Sequence, residues 1–206
     1  LNRMTVHFYT NDLPDDVTFE GSLAIDTETT GLVLSRDRLC LIQLSVGDGD
    51  AHLVHFPTTD HDAPNLKRVL SDPALTKLFH YARFDVAVLQ NWLGVTCEPV
   101  YCTKIASRLV RTYTDRHGLK DLCRELLGVE LSKEQQSSDW AATKLSDKQK
   151  NYAASDVLYL HRLRDRLDEM LAREGRAELA ARCFAFVPTR VALDMGGWQD
   201  VDIFSH

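Results

Sequence analysis

SLAIDTETTGL, residues 22–32, is an apolar β-run that ends in two carboxylates. A strand alternates its side chains with period two, so Asp26 and Glu28 project from one face. Gly31 then lets the chain turn sharply. Two further segments place acids in apolar surroundings: HYARFD (80–85) and NYAASD (151–156). Asp85 falls at a helix start, where the dipole favours a carboxylate. Tyr152 and Asp156 lie four apart on a helical pattern and share a face. Taken singly, each has an ordinary reading: a chance DTE, a helix cap, a helical YxxxD with Tyr152 as a core aromatic. Together they describe distant carboxylates with a reason to converge. Burying several negative charges costs several kcal/mol each unless cations neutralise them. Hard divalent cations with oxygen ligands are the usual answer.

Around this core the first third of the chain reads as strands: Thr5–Tyr9, Ser22–Thr27, Leu39–Val46 and Ala51–Phe56. GDGD (47–50) between the last two is a strong hairpin signal. Asn65–Leu70 is a short helix stopped by Asp72-Pro73, and Lys77–His80 a strand leading into HYARFD. Thereafter the pattern is helical: Phe84–Leu93 ending at Gly94, Thr103–Tyr113, Leu119–Leu127 ending at Gly128, and one long helix from Ser146 to Arg173. Ser146 with Gln149 forms a capping box for that helix. A strand meander followed by helices predicts an α/β fold with a mixed central sheet flanked by helices. The end, residues 184–206, is apolar (Phe184, Phe186, Val187, Val191, Trp198, Ile203, Phe204) and must be covered by its own domain or by a second subunit.

At 206 residues the length predicts one domain, 1–206, with a substantial core. No stretch approaches eighteen apolar residues, and LNRMTVHFYTNDLPDD lacks the layout of a secretory leader. Met4 is a candidate natural start, which would make residues 1–3 extraneous. The five cysteines (Cys40, Cys97, Cys102, Cys123, Cys183) are odd in number and form no CxxC, so reduced thiols and a cytoplasmic location are expected. A net charge of -6 argues against gripping long nucleic acid over a broad surface. It leaves room for a short ligand held by metals and a local basic patch.

The order Asp26–Glu28, Asp85, Tyr152–Asp156 resembles the DEDD 3′–5′ exonucleases of the ribonuclease H-like fold, in the branch with tyrosine in its third motif. Asn151 stands where the sister branch has histidine. LGVELSKEQQSSDWAATKLSDKQKNYAASDVLYLHRLRDRL (127–167) is similar to the ribonuclease D group, and the likeness spans roughly residues 22–166. Ribonuclease D proper carries helical RNA-binding domains after its nuclease domain, and this chain stops short of them. Its length, CTKIASRLVRTYTDRHGLK (102–120), QQSSDWA (135–141) and the terminal IFSH are similar to the nano-RNase C group. That resemblance implies hydrolysis of very short RNAs, especially diribonucleotides, by a ring-like homo-oligomer, an octamer. The alternative within the family is ribonuclease D-like trimming of tRNA or longer RNA 3′ ends. DNA proofreading and a catalytically dead RNA-binding scaffold are the remaining readings, the latter disfavoured because all four acids are present.

By resemblance, Asp26, Glu28, Asp85 and Asp156 hold two divalent cations, Mg²⁺ or Mn²⁺, about 3.5–4 Å apart as in such sites. Tyr152 is expected to orient the attacking water. Thr29 matches the family position at the terminal nucleotide's 3′ end, and Leu32 is placed to wedge between bases, unless it is a plain core leucine. His80 is expected near phosphate or base, with a core histidine as the competing reading. Lys104, Arg108 and Arg111 recur at helical spacing and, with Arg116 and Lys120, form the most basic region. It is either a phosphate grip, with Arg108 and Arg111 as contacts, or a solvated face. Ser137, Ser138 and Trp140 suit a 5′ phosphate and a stacked base, Trp140 having core packing as its alternative.

Overall fold

The computed structural model describes residues 3–206, so Leu1 and Asn2, ahead of the candidate start at Met4, lie outside it. Six strands form one mixed sheet in the order β1-β4-β3-β2-β5-β6: β1 (Thr5–Thr10), β2 (Ser22–Thr29), β3 (Leu39–Ser45), β4 (Asp50–His55), β5 (Thr76–Phe79) and β6 (Val100–Cys102). β2, β3 and β4 make the expected antiparallel meander. β1 adds parallel to β4, and β5 and β6 add parallel beyond β2. The hairpin joining β3 and β4 turns through Gly47 (φ 82°) and Gly49 (φ 98°), left-handed conformations that glycine adopts freely. Every residue of β3 is buried, which requires cover on both sheet faces.

The helices supply that cover: α1 (Pro64–Leu70), α2 (Ala82–Leu93), α3 (Thr103–Val110), α4 (Leu119–Leu122) running into a wide turn at Cys123–Leu127, α5 (Asp147–Ser155), α6 (Leu160–Arg173) and α7 (Ala177–Leu193). α5 lies over β1, β3 and β4, while α2 reaches β2, β3, β5 and β6. Gly94 and Gly128 end their helical segments as the sequence predicts. The capping box is present: Ser146 Oγ accepts from the Gln149 amide at 3.2 Å, and Gln149 Oε1 accepts from the Ser146 amide at 2.9 Å. All five cysteines are free thiols.

Two expectations are corrected, and two elements are added. The single long helix is two, because the chain breaks between Ser155 and Leu160. Asp156 and Val157 bond only three residues back there, and His161 and Arg164 donate to Ser22, which ties the first turns of α6 to the start of β2. The Thr103–Tyr113 helix ends at Val110, where Arg111 turns inward. β6 is a strand of three residues, too short to leave a pattern. The apolar end contains α7, helical despite Pro188. Phe184, Val187 and Val191 are buried, with the Phe184 ring 4.5 Å from that of Tyr101. Phe186, Met195, Trp198, Val201, Ile203 and Phe204 remain exposed.

Candidate active site

β2 is a central strand, and its pairing with β3 slips between Glu28 and Thr29. Such an irregularity ends regular pairing and re-aims side chains. Asp26 and Glu28 therefore project at the floor of a cleft of about 350 Å³, with Tyr152 and Asp156 entering from α5 and His80 from the end of β5. One carboxylate oxygen from each of Asp26, Glu28 and Asp156 lies within 4.8 Å of the others. Asp85, in the first turn of α2, stands beside this trio rather than in it. It is 3% exposed and accepts a 2.6 Å hydrogen bond from Thr27 Oγ1. The alternation of β2 explains the division: Asp26 and Glu28 face the cleft, while the intervening Thr27 points to α2.

Withdrawal from water and mutual repulsion dominate the electrostatics. Burial pushes the Asp26 carboxyl from 3.8 up to about 7. Burial, then the charges of Asp26, Asp156 and Asp85, push Glu28 to about 10. Asp85 and Asp156 are raised by burial and by Asp26. Asp156 also sits at the C-terminal cap of α5, the negative end of the helix dipole. Among the described residues no Lys or Arg pairs with any of the four. Converging carboxylate oxygens without a counter-charge, and with no His or Cys in the set, fit a hard divalent cation.

The remaining predicted residues separate into cleft and scaffold. Tyr152 lines the cleft, and burial together with Asp156, Glu28 and Asp26 raises its hydroxyl pKa, so it stays a neutral phenol. Thr29 Oγ1 donates to the Gly31 carbonyl at 2.5 Å. Leu32 is 79% exposed and thus no core leucine. His80 reaches the cleft, its Nδ1 2.9 Å from Thr103 Oγ1 and its Nε2 without a partner among the described residues. Burial and Lys104 hold its pKa near 3, so the ring brings no charge to a phosphate.

Arg111 corrects the phosphate-grip expectation. It has zero exposure, and its guanidinium donates inward to Ser107 Oγ (3.0 Å), the Arg116 carbonyl (2.7 Å) and Glu125. Arg108 lines a separate groove of about 720 Å³ beside α7. Trp140 is 3% exposed and packs behind Tyr152, ring centroids 6.1 Å apart, so no base can stack on it. Ser138 Oγ accepts from Gln149 Nε2 at 3.2 Å, and the cleft is lined by Ser132, Lys133 and Gln136 rather than by Ser137 or Ser138. The cations on the cleft wall are Lys104, Lys120 and Lys133.

Sequence reasoning missed two residues at the site. Tyr81 borders the cleft in a left-handed conformation (φ 73°), strain of about 1–2 kcal/mol for a bulky side chain, with the Lys104 ammonium 4.5 Å from its ring centre. Gln43 on β3 donates to Asp26 Oδ2 at 3.2 Å and favours ionised Glu28. Nothing local in the sequence flags Tyr81. A polar amide inside LCLIQLSV was a visible signal for Gln43.

Comparison with known proteins agrees with this geometry. A family model described as 3′–5′ exonuclease matches residues 9–172. The chain is 31% identical over 169 residues to ribonuclease D of Acidiphilium cryptum, covering 82% of this chain and 43% of that protein. It thus spans less than half the length of that curated relative. Among solved structures, Brucella melitensis NrnC with bound Mg²⁺ superposes with a TM-score of 0.94 at 54% identity, covering 98% of this chain and 100% of that one. The same protein bound to pGG gives 0.95 at 54% identity, covering 98% and 99%. Ribonuclease D of Escherichia coli gives 0.73 at 27% identity, covering 88% of this chain and 48% of that one.

Proposed function

The chain belongs to the 3′–5′ exonuclease family, in its ribonuclease D-like branch with a tyrosine in the third motif, and we propose that it hydrolyses very short RNAs, diribonucleotides above all, to nucleoside 5′-monophosphates. The observation that carries this reading is the meeting of Asp26, Glu28 and Asp156 oxygens within 4.8 Å beside Tyr152, uncompensated by any protein cation. Asp26, Glu28, Asp85 and Asp156 would hold two Mg²⁺ or Mn²⁺ ions. When bound, such ions supply Lewis-acid activation of water and charge neutralisation at the leaving 3′ oxygen.

The protein's own groups do the rest. Tyr152, kept as a phenol, donates a hydrogen bond that orients the attacking water along the scissile bond. Thr29 sits against the terminal nucleotide. Leu32, exposed at the tip of its loop, inserts between the two bases. The loop is stiffened from below, since Asp37 accepts from the Val33 amide at 2.8 Å and pairs with Arg36. Lys104, Lys120 and Lys133 offer charge to phosphate along the wall. A cleft of about 350 Å³ suits a small substrate better than a long one.

Residues 1–206 act, on this reading, as one cytoplasmic exonuclease domain that assembles as a homo-oligomer, with an octamer as the expected form. The exposed side chains of Phe186, Met195, Trp198, Val201, Ile203 and Phe204 support the assembly, because a run of large apolar groups at one end is the mark of an interface. No helix among the described residues is long and apolar enough to cross a membrane. The test is an end-labelled time course on RNAs of two to seven nucleotides with Mg²⁺ or Mn²⁺. Faster loss of the dinucleotide than of the heptanucleotide is expected. Comparable rates, or faster trimming of the longer RNA, would return the ribonuclease D-like alternative.

A further inference from the structure

We infer that Gln43 is a positioning residue for the metal-binding carboxylates, its side-chain amide fixing Asp26 in the orientation that cation binding uses. Asp26 and Gln43 are register partners across β2 and β3, so their side chains leave the same sheet face side by side. Gln43 Nε2 donates to Asp26 Oδ2 at 3.2 Å.

The surroundings make the placement unusual. Leu39, Cys40, Leu41, Ile42 and Leu44 of the same strand are apolar with zero exposure, and Gln43 is buried as completely. An apolar residue there would avoid burying an amide. Moreover, Gln43 Oε1 has no hydrogen-bond partner among the described residues. Rotating the amide by half a turn would set that oxygen against the Asp26 carboxylate, acceptor against acceptor. The residue is therefore held with its donor toward Asp26 and its carbonyl unsatisfied. Folding alone gives no reason for this arrangement, whereas a carboxylate that must meet a cation in one orientation does. Nε2 occupies one side of Oδ2 and leaves the other lone pairs of Asp26 to a cation. Partners of this kind, bonded to a ligand rather than to the ion, typically alter metal affinity by about 10–100-fold when removed.

The inference rests on the metal-dependent reading above, and the test separates the two. Gln43→Met keeps the volume and removes the donor. Gln43→Asn keeps the amide on a side chain one methylene too short to reach, and it serves if the methionine variant does not fold. Melting temperature in EDTA, Mn²⁺ affinity by calorimetry, and kcat and KM on a diribonucleotide are measured for each beside the parent. We expect melting temperatures at or above the parent's for Gln43→Met, Mn²⁺ binding weakened about 10–100-fold, and a fall in kcat with KM little changed. Parental Mn²⁺ affinity in either folded variant overturns the inference, and a lower melting temperature with parental affinity makes Gln43 a residue of the fold alone. A parent chain that takes up no Mn²⁺ would overturn the metal reading together with it.

Discussion

Replacing Asp26 by Asn should abolish hydrolysis and at the same time stabilise the metal-free protein. Asp26 is the electrostatic centre of the site: its charge raises Glu28, Asp85 and Asp156, and burial raises Asp26 itself. A carboxyl whose folded pKa lies above its unfolded value resists ionisation in the fold. Its contribution to stability is fully present below the unfolded value and is lost as the pH rises through the folded one. For Asp26 that window runs from 3.8 to about 7. At about 1.4 kcal/mol per pH unit the full displacement corresponds to about 4 kcal/mol. The side chain keeps some contact with the cleft, so about 2–4 kcal/mol is the range relieved by a neutral isostere at pH 7.5. For a domain of this size that raises the melting temperature by about 5–15 °C. The assay is calorimetric melting of both chains in EDTA at pH 7.5 and again near pH 4, followed by melting in Mg²⁺. The gain should shrink toward pH 4, where the parent's carboxyl is itself protonated. Mg²⁺ should raise the parent's melting temperature and leave that of D26N nearly unmoved. A D26N chain that melts at or below the parent in EDTA at pH 7.5 would refute the claim that these carboxylates are crowded and uncompensated.

Other consequences are more local. Arg111→Met removes three donated hydrogen bonds at the α3 terminus, one of them to Glu125, and should lower stability in urea by about 3 kcal/mol while leaving KM for a diribonucleotide unchanged. Leu32→Ala, at an exposed position, should leave the melting temperature within a degree or so yet lower kcat/KM on diribonucleotides about tenfold, roughly the worth of the apolar surface lost between two bases. Tyr152→Phe keeps the packing on Trp140 and removes the hydroxyl. A fall in kcat of about 100-fold is expected, and rapid-quench single-turnover kinetics that show parental chemistry would remove Tyr152 from the reaction.

What the sequence disclosed was chemistry tied to short-range geometry. Period two put Asp26 and Glu28 together on β2, a one-turn spacing aligned Tyr152 with Asp156, and glycines marked the β3–β4 hairpin and two helix ends. What it hid depends on contacts distant in sequence. DKQKNYAASDVLYLHRLRDRLDEMLAR has no glycine or proline and reads as one helix; it breaks because His161 and Arg164 are anchored to Ser22, more than a hundred residues away. Arg111 looked like a solvent cation because charge is normally exposed, and only Glu125 and two local oxygens justify its burial. Trp140 beside two serines looked like a stacking platform, but Leu41, Leu53 and Tyr152 enclose it. The break after α5 also bears on the site. Were residues 147–173 one helix, Asp156 would lie mid-helix, remote from either dipole end. Ending α5 at Asp156 sets the carboxylate at the negative pole, where it is less stable without a cation and therefore binds one more strongly. The feature that sequence periodicity failed to show is thus one that adds to the charge imbalance of the carboxylate cluster.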